Sequence, residues 1–170
     1  FGRTISSNET LAGYWTARYN AIGNCNVALE RLPDAPLIDA SGAPLDPTLK
    51  QRYLSEIRFL RAMHYFDLAQ IFGGVPLVTK TLSVDDRTIL VRVSSQEMFT
   101  FIEAELLAVA NDPAVLSAKT LKPAEIGRAT QETSWALLAR VYMFFAKDNN
   151  ALFAKGRDAA KKVIDSKAYA

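Results

Sequence analysis

Apolar residues recur three and four positions apart through five stretches of this chain, each bracketed by residues that start or stop helices. The first predicted helix runs from about Ser7 to Leu32. Ser6-Ser7-Asn8-Glu9 has the spacing of a capping box, and Pro33 stops the pattern. Leu11, Trp15, Ile22 and Leu29 form one stripe, with Tyr14, Ala21, Cys25 and Ala28 beside it. From 33 to 47, Pro33, Pro36, Pro44 and Pro47 with Ser41-Gly42 predict a loop without regular structure. A second helix starts at Asp46-Pro47, a cap followed by proline in the first turn, and ends at Phe72 before Gly73-Gly74. Its apolar residues fall into two stripes, Tyr53, Ile57, Leu60, Leu68 and Ile71 against Phe59, Met63 and Phe66. Such a helix is normally sandwiched between neighbours, so the pattern predicts it as the most buried rod of the core.

Val75-Pro76-Leu77-Val78 reads as extended chain, because residues next to proline avoid the helical region. The stretch to Val93 reads as a connecting loop with room for a short strand. Ser94-Ser95-Gln96-Glu97 is a second capping box, and Met98, Phe99, Ile102, Leu106 and Val109 carry a third helix to Asp112-Pro113. After a loop over 113–128, Thr130 caps a fourth helix to about Lys147. Its stripes are Trp135, Leu138, Tyr142 and Phe145 against Leu137, Val141 and Phe144. The fifth begins near Asn150, with Leu152, Ala159, Ala160, Val163 and Ile164 inward and Asp158 and Lys162 as a pair on the wet face. The expected fold is all-α, of stacked helix pairs in an irregular tetratricopeptide-like arrangement with little or no sheet. No strict 34-residue period supports a regular array of that kind.

Composition narrows the function classes. With 49% hydrophobic and 22% charged residues over 170 positions, the chain has the balance of one globular domain. Basic and acidic residues number 20 and 18 and are mixed along the sequence, which disfavours a nucleic-acid partner. No apolar run is long enough to span a bilayer. The single Cys25 lies inside a helical pattern, and no Cys or His spacing proposes a zinc site. Phe1-Gly2-Arg3 reads as the edge of a longer chain rather than a natural beginning.

Three segments carry a resemblance. Ser55-Glu56-Ile57-Arg58-Phe59-Leu60-Arg61-Ala62, followed by Tyr65-Phe66-Asp67-Leu68 and Phe72-Gly73-Gly74-Val75-Pro76-Leu77, is one. Arg92-Val93-Ser94 leading into Glu97-Met98-Phe99 and Ile102-Glu103-Ala104-Glu105-Leu106 is the second. The third joins Gly127-Arg128-Ala129-Thr130 to Ala136-Leu137-Leu138-Ala139-Arg140-Val141-Tyr142. Val163-Ile164-Asp165-Ser166 with Tyr169, and Tyr19, Ile22 and Asn26 in the first helix, extend the match. In this order and spacing they resemble the N-terminal helical portion of the SusD/RagB family, with Ile57, Glu105 and Ser134-Trp135 as departures from its usual residues. The resemblance implies an alpha-alpha superhelix and a single domain over 1–170, the N-terminal part of a longer protein. It implies a lipid-anchored protein on the outer face of the outer membrane. Such a protein binds oligosaccharides or similar polymer fragments and delivers them to a TonB-dependent, SusC-like transporter barrel. No cofactor is implied, and membrane contact would come only through a lipid anchor outside these residues. A helical-repeat scaffold that binds a peptide or protein partner is the alternative reading.

Candidate reactive groups read as structural. His64, the only histidine, has no nucleophile or acid proposed beside it, so it is expected to pack and hydrogen-bond. Arg58 and Arg61 sit among apolar neighbours and are expected to anchor loop carbonyls or carboxylates such as Glu56 or Asp67, and Arg140 to act similarly. Glu103 and Glu105 stand two apart on a helix and cannot flank one glycosidic bond. They and Asp85-Asp86 read as a solvated face and a polar loop. Gly73-Gly74 is a helix stop, not a phosphate cradle. Trp15 and Trp135 lie on apolar stripes and are expected in packing rather than as sugar platforms. No catalytic residue or metal ligand is assigned, and the ligand-binding residues are not identified. If a site lies on these helices, the loops at 33–47 and 113–128 are the expected places.

Overall fold

The structure, a computed structural model, describes residues 9–83, 85, 90–147 and 150–169. Among these, five α-helices follow one another: α1 (Glu9–Arg31), α2 (Pro47–Phe72), α3 (Ser95–Ala110), α4 (Gln131–Ala146) and α5 (Asn150–Ser166). Each packs chiefly on its neighbour in sequence, and α2 also touches α4, so the fold is a run of stacked helix pairs. The all-α expectation holds, and the only β pairing among the described residues is two isolated bridges, Ile38 with Pro44 and Pro76 with Arg92.

The helix ends form for local reasons. The Asp46 carboxylate accepts from the Thr48 and Leu49 amides at 2.7 and 3.1 Å, holding two N–H groups that the first turn leaves unpaired. Gly73 takes φ +70° and returns its N–H to the Ala69 carbonyl, which ends α2. Ser94 and Glu97 close a reciprocal capping box on α3, and Thr130 with Thr133 does so on α4. Ser6, Ser7 and Asn8 of the first predicted box lie outside the described residues. The proline-rich loop is more ordered than its composition suggests. One Asp39 carboxylate oxygen accepts from the Ser41 amide and hydroxyl and the Ala43 amide, forming a small hairpin with Gly42 at φ +85°.

The core gathers Ile22 of α1, Tyr65, Phe66 and Leu68 of α2, Met98 and Ile102 of α3, and Leu138 and Val141 of α4. Several expected stripes are corrected here. On α2, Leu60 and Ile71 are 43% and 48% exposed, and the buried face instead runs through Ser55, Arg61, Ala62, Tyr65, Phe66, Leu68 and Ala69. Small residues lie along that face, where they admit the neighbouring helices closely, and hydrophobicity alone passes over them. Nor is α2 the most buried helix. It buries seven of 26 residues, whereas α3 and α4 each bury seven of 16. On α5, Ile164 is 73% exposed, and the expected Asp158–Lys162 pair is absent. Asp158 pairs with Arg157, Lys162 sits 3.4 Å from the centroid of the Trp135 ring, and the i,i+4 pair is Lys161–Asp165. The aromatic face of Trp135 draws the ammonium away from the carboxylate. Among the described residues no helix is long and apolar enough to cross a membrane.

Candidate ligand-binding groove

The extended segment after α2 lies across α1 and α2, and buried polar side chains fix it there. Gly74 allows its start: a Cβ on that residue would stand 2.2 Å from the Val93 carbonyl oxygen. Val93 in turn donates its N–H to the Val75 carbonyl at 3.1 Å. The Tyr65 hydroxyl both donates to the Val78 carbonyl (2.8 Å) and accepts the Val78 N–H (2.7 Å), taking the place of a partner strand. Tyr19 donates to the Pro76 carbonyl at 2.7 Å. Asn26, fully buried, donates to the carbonyls of Val78 and Lys80 at 2.9 and 3.2 Å and accepts from Arg61 at 2.8 Å. Glu30 accepts from the amide and hydroxyl of Thr81, which holds its carboxyl below the usual range.

Arg61 ties this strap to α3. Its Nε and Nη2 both donate to Oε2 of Glu105, at 3.0 and 2.7 Å, and Nη1 also reaches the Thr79 carbonyl. Arg58, more exposed, donates to the other Glu105 oxygen at 3.1 Å. Both arginines are therefore anchors, as expected, but through Glu105. Glu56 instead holds Arg128, and Asp67 holds Arg18 at 3.1 Å. The two α3 carboxylates are not a solvated face: Glu105 is buried, and Glu103 accepts from Lys155 at 2.8 Å. Burial pushes Tyr19 above its ordinary range and Tyr65 up to about 12.

His64 is half-buried, its Nδ1 3.4 Å from Arg18 Nη1, and burial followed by the Arg18 charge lowers its pKa. Arg140 is exposed, with its guanidinium carbon 5.8 Å from the centroid of the Phe66 ring. Asp85 lies in the connecting loop, and Asp86 falls outside the described residues. Cys25 is buried and free, its thiol pushed up by burial. Among the described residues no three His, Cys, Asp or Glu side chains converge as a metal-ligand set.

Between α1 and the strap opens a groove of about 760 Å³, lined by Trp15, Tyr19, Asn20, Gly23 and Asn24 on one side and Pro76, Lys80 and Thr81 on the other. Trp15 is half-buried rather than enclosed, supported by Tyr19 (centroids 4.8 Å apart) and, edge-on, by Phe72 (5.0 Å). The loops at 33–47 and 113–128 do not line this groove. A second, smaller groove of about 460 Å³ runs between α4 and α5, where Met143, Phe144 and Phe153 are exposed beside Arg140 and Arg157. The α1 groove escaped the sequence reading. Its available signal was the trio Asn20, Gly23 and Asn24, which share one helical face.

Residues 3–143 match the SusD-like family, described as starch-binding and associating with the outer membrane. The starch-binding protein SusD of Bacteroides thetaiotaomicron is 34% identical over 120 residues, covering 70% of this chain and 20% of that protein. A SusD-like carbohydrate-binding protein from Bacteroides fragilis superposes with a TM-score of 0.83 at 26% identity, over 96% of this chain and 29% of that one. A laminarin-binding SusD-like protein superposes at 0.74 with 27% identity, over 88% and 29%. This chain thus spans under a third of the length of each of these relatives, and over that span it superposes on the two solved structures. On the match over residues 3–143, the chain belongs to the SusD-like family.

Proposed function

We propose that this chain is the N-terminal helical part of a longer, lipid-anchored protein that captures oligosaccharides at the outer face of the outer membrane. It passes them unaltered to a TonB-dependent transporter barrel. The observation that carries this reading is the family match over residues 3–143, with relatives whose names state starch and laminarin binding. The geometry is consistent with capture rather than turnover. Glu105 and Glu103 are held by Arg61, Arg58 and Lys155, and neither lines the groove, so neither is placed as the acid or nucleophile of a glycosidase. Calorimetry of the whole protein against starch, laminarin and xyloglucan oligosaccharides tests the binding half, with saturable binding to at least one expected. Co-purification with a transporter barrel tests the delivery half. Binding to none of these glycans overturns the first, and a protein that never associates with a barrel overturns the second.

A scaffold that binds a peptide is the alternative, and the α4–α5 groove favours it. Exposed Met143, Phe144 and Phe153 flanked by Arg140 and Arg157 suit a short helix with an apolar face and acidic rim. Capture of such a peptide at micromolar affinity, with no glycan bound, would select that reading.

A further inference from the structure

We propose that the groove between α1 and the strap is a subsite for one end of a neutral oligosaccharide, with Trp15 as its floor and Asn20 and Asn24 as its hydrogen-bonding rim. The inference rests on the glycan-capture reading and places part of that function on this chain. Three observations support it. The side-chain amides of Asn20 and Asn24 are exposed, and no described residue hydrogen-bonds to them. They stand four residues apart on one face of α1, and each offers both donors and an acceptor, the complement of vicinal sugar hydroxyls. Trp15 is half-buried and packs on both Tyr19 and Phe72, which fix its ring and lower the ordering cost of receiving the apolar C–H face of a sugar.

Gly23 is the third observation. It lies in mid-helix, where glycine costs roughly 1 kcal/mol relative to alanine. Nothing stands within 4 Å of where its Cβ would be. No packing contact therefore requires a glycine there, yet a larger side chain would project into the groove beside the two asparagines. Among the described residues that line the cavity there is no carboxylate and a single ammonium, that of Lys80, so a neutral ligand fits better than a polyanion. The far wall is immobilised by the Tyr65, Tyr19 and Asn26 hydrogen bonds.

The variant Gly23→Leu tests this cleanly, because the open space lets the side chain enter without disturbing the fold. The expected result is a melting temperature equal to or above that of the parent in both the 170-residue chain and the whole protein. Glycan affinity of the whole protein should fall tenfold or more, and Asn20→Ala with Asn24→Ala should lower it several-fold. In the 170-residue chain, laminarin or starch oligosaccharides at millimolar concentration should shift the Trp15 indole and the Asn20 and Asn24 amide resonances. Unchanged glycan affinity in Gly23→Leu would overturn the subsite while leaving glycan capture standing. Absence of glycan binding by the unmutated whole protein would overturn both. Destabilisation of the whole protein by Gly23→Leu, with the 170-residue chain unaffected, would show the groove filled by the protein's own chain and would also overturn it.

Discussion

Arg61 gives its guanidinium to Glu105, Asn26 and the Thr79 carbonyl at once, with its side chain only 7% exposed. Replacing it by alanine would leave a buried carboxylate and a buried amide without their donor. Arg61→Ala is therefore expected to cost about 3–5 kcal/mol in chemical denaturation, a large share of a typical stability of roughly 5–15 kcal/mol. The paired replacement Arg61→Met with Glu105→Leu should cost markedly less, because it removes both charges together. Tyr65 adds a pH dependence. Its folded pKa is raised by burial from an ordinary 10.0 to about 12, so its contribution is complete below pH 10 and is lost as the pH rises toward 12. The difference in stability between the parent and Tyr65→Phe should shrink over that interval, and a constant difference would contradict the assignment. The structural role of both arginines was legible because charged heads among Phe59, Leu60 and Ala62 must be anchored. Their partner was not. Glu105 lies 44 residues from Arg61 along the chain, and spacing within one helix cannot say which carboxylate of another helix faces it.

Helix ends were the most legible elements, since capping chemistry is local: Asp46-Pro47, Ser94 with Glu97 and Thr130 all act where their spacing indicated. Helix faces were less so. Leu60, Ile71 and Ile164 satisfy helical periodicity yet stand exposed, while Ala62, Ala69 and Ser55 are buried. A face is chosen by how closely backbones approach, and small residues carry that information without adding hydrophobicity. Two glycines now separate by sign. Gly23→Ala should stabilise the chain by about 0.5–1 kcal/mol, the ordinary helix gain. Gly74→Ala should destabilise it by at least about 1 kcal/mol, because a Cβ would meet the Val93 carbonyl oxygen at 2.2 Å and the strap must shift. Thermal melts of the two variants check both, and equal effects would mean the strap is not pinned where it lies.

At the scale of the molecule, each helix rests on its neighbour in sequence, so the order of local motifs along the chain was enough to indicate the stack. The groove was not legible in the same way. It exists only because the segment over 75–82 folds back on α1, and its anchors Tyr19, Asn26 and Tyr65 come from two helices. On the proposed function, this stack serves capture and not chemistry. The most direct measurement incubates the whole protein with a laminarin or starch oligosaccharide, follows binding by calorimetry and identifies the recovered sugar by mass spectrometry. Saturable binding with the oligosaccharide returned at its original length is the predicted result. Shortened, lengthened or oxidised sugar in proportion to protein concentration would contradict it.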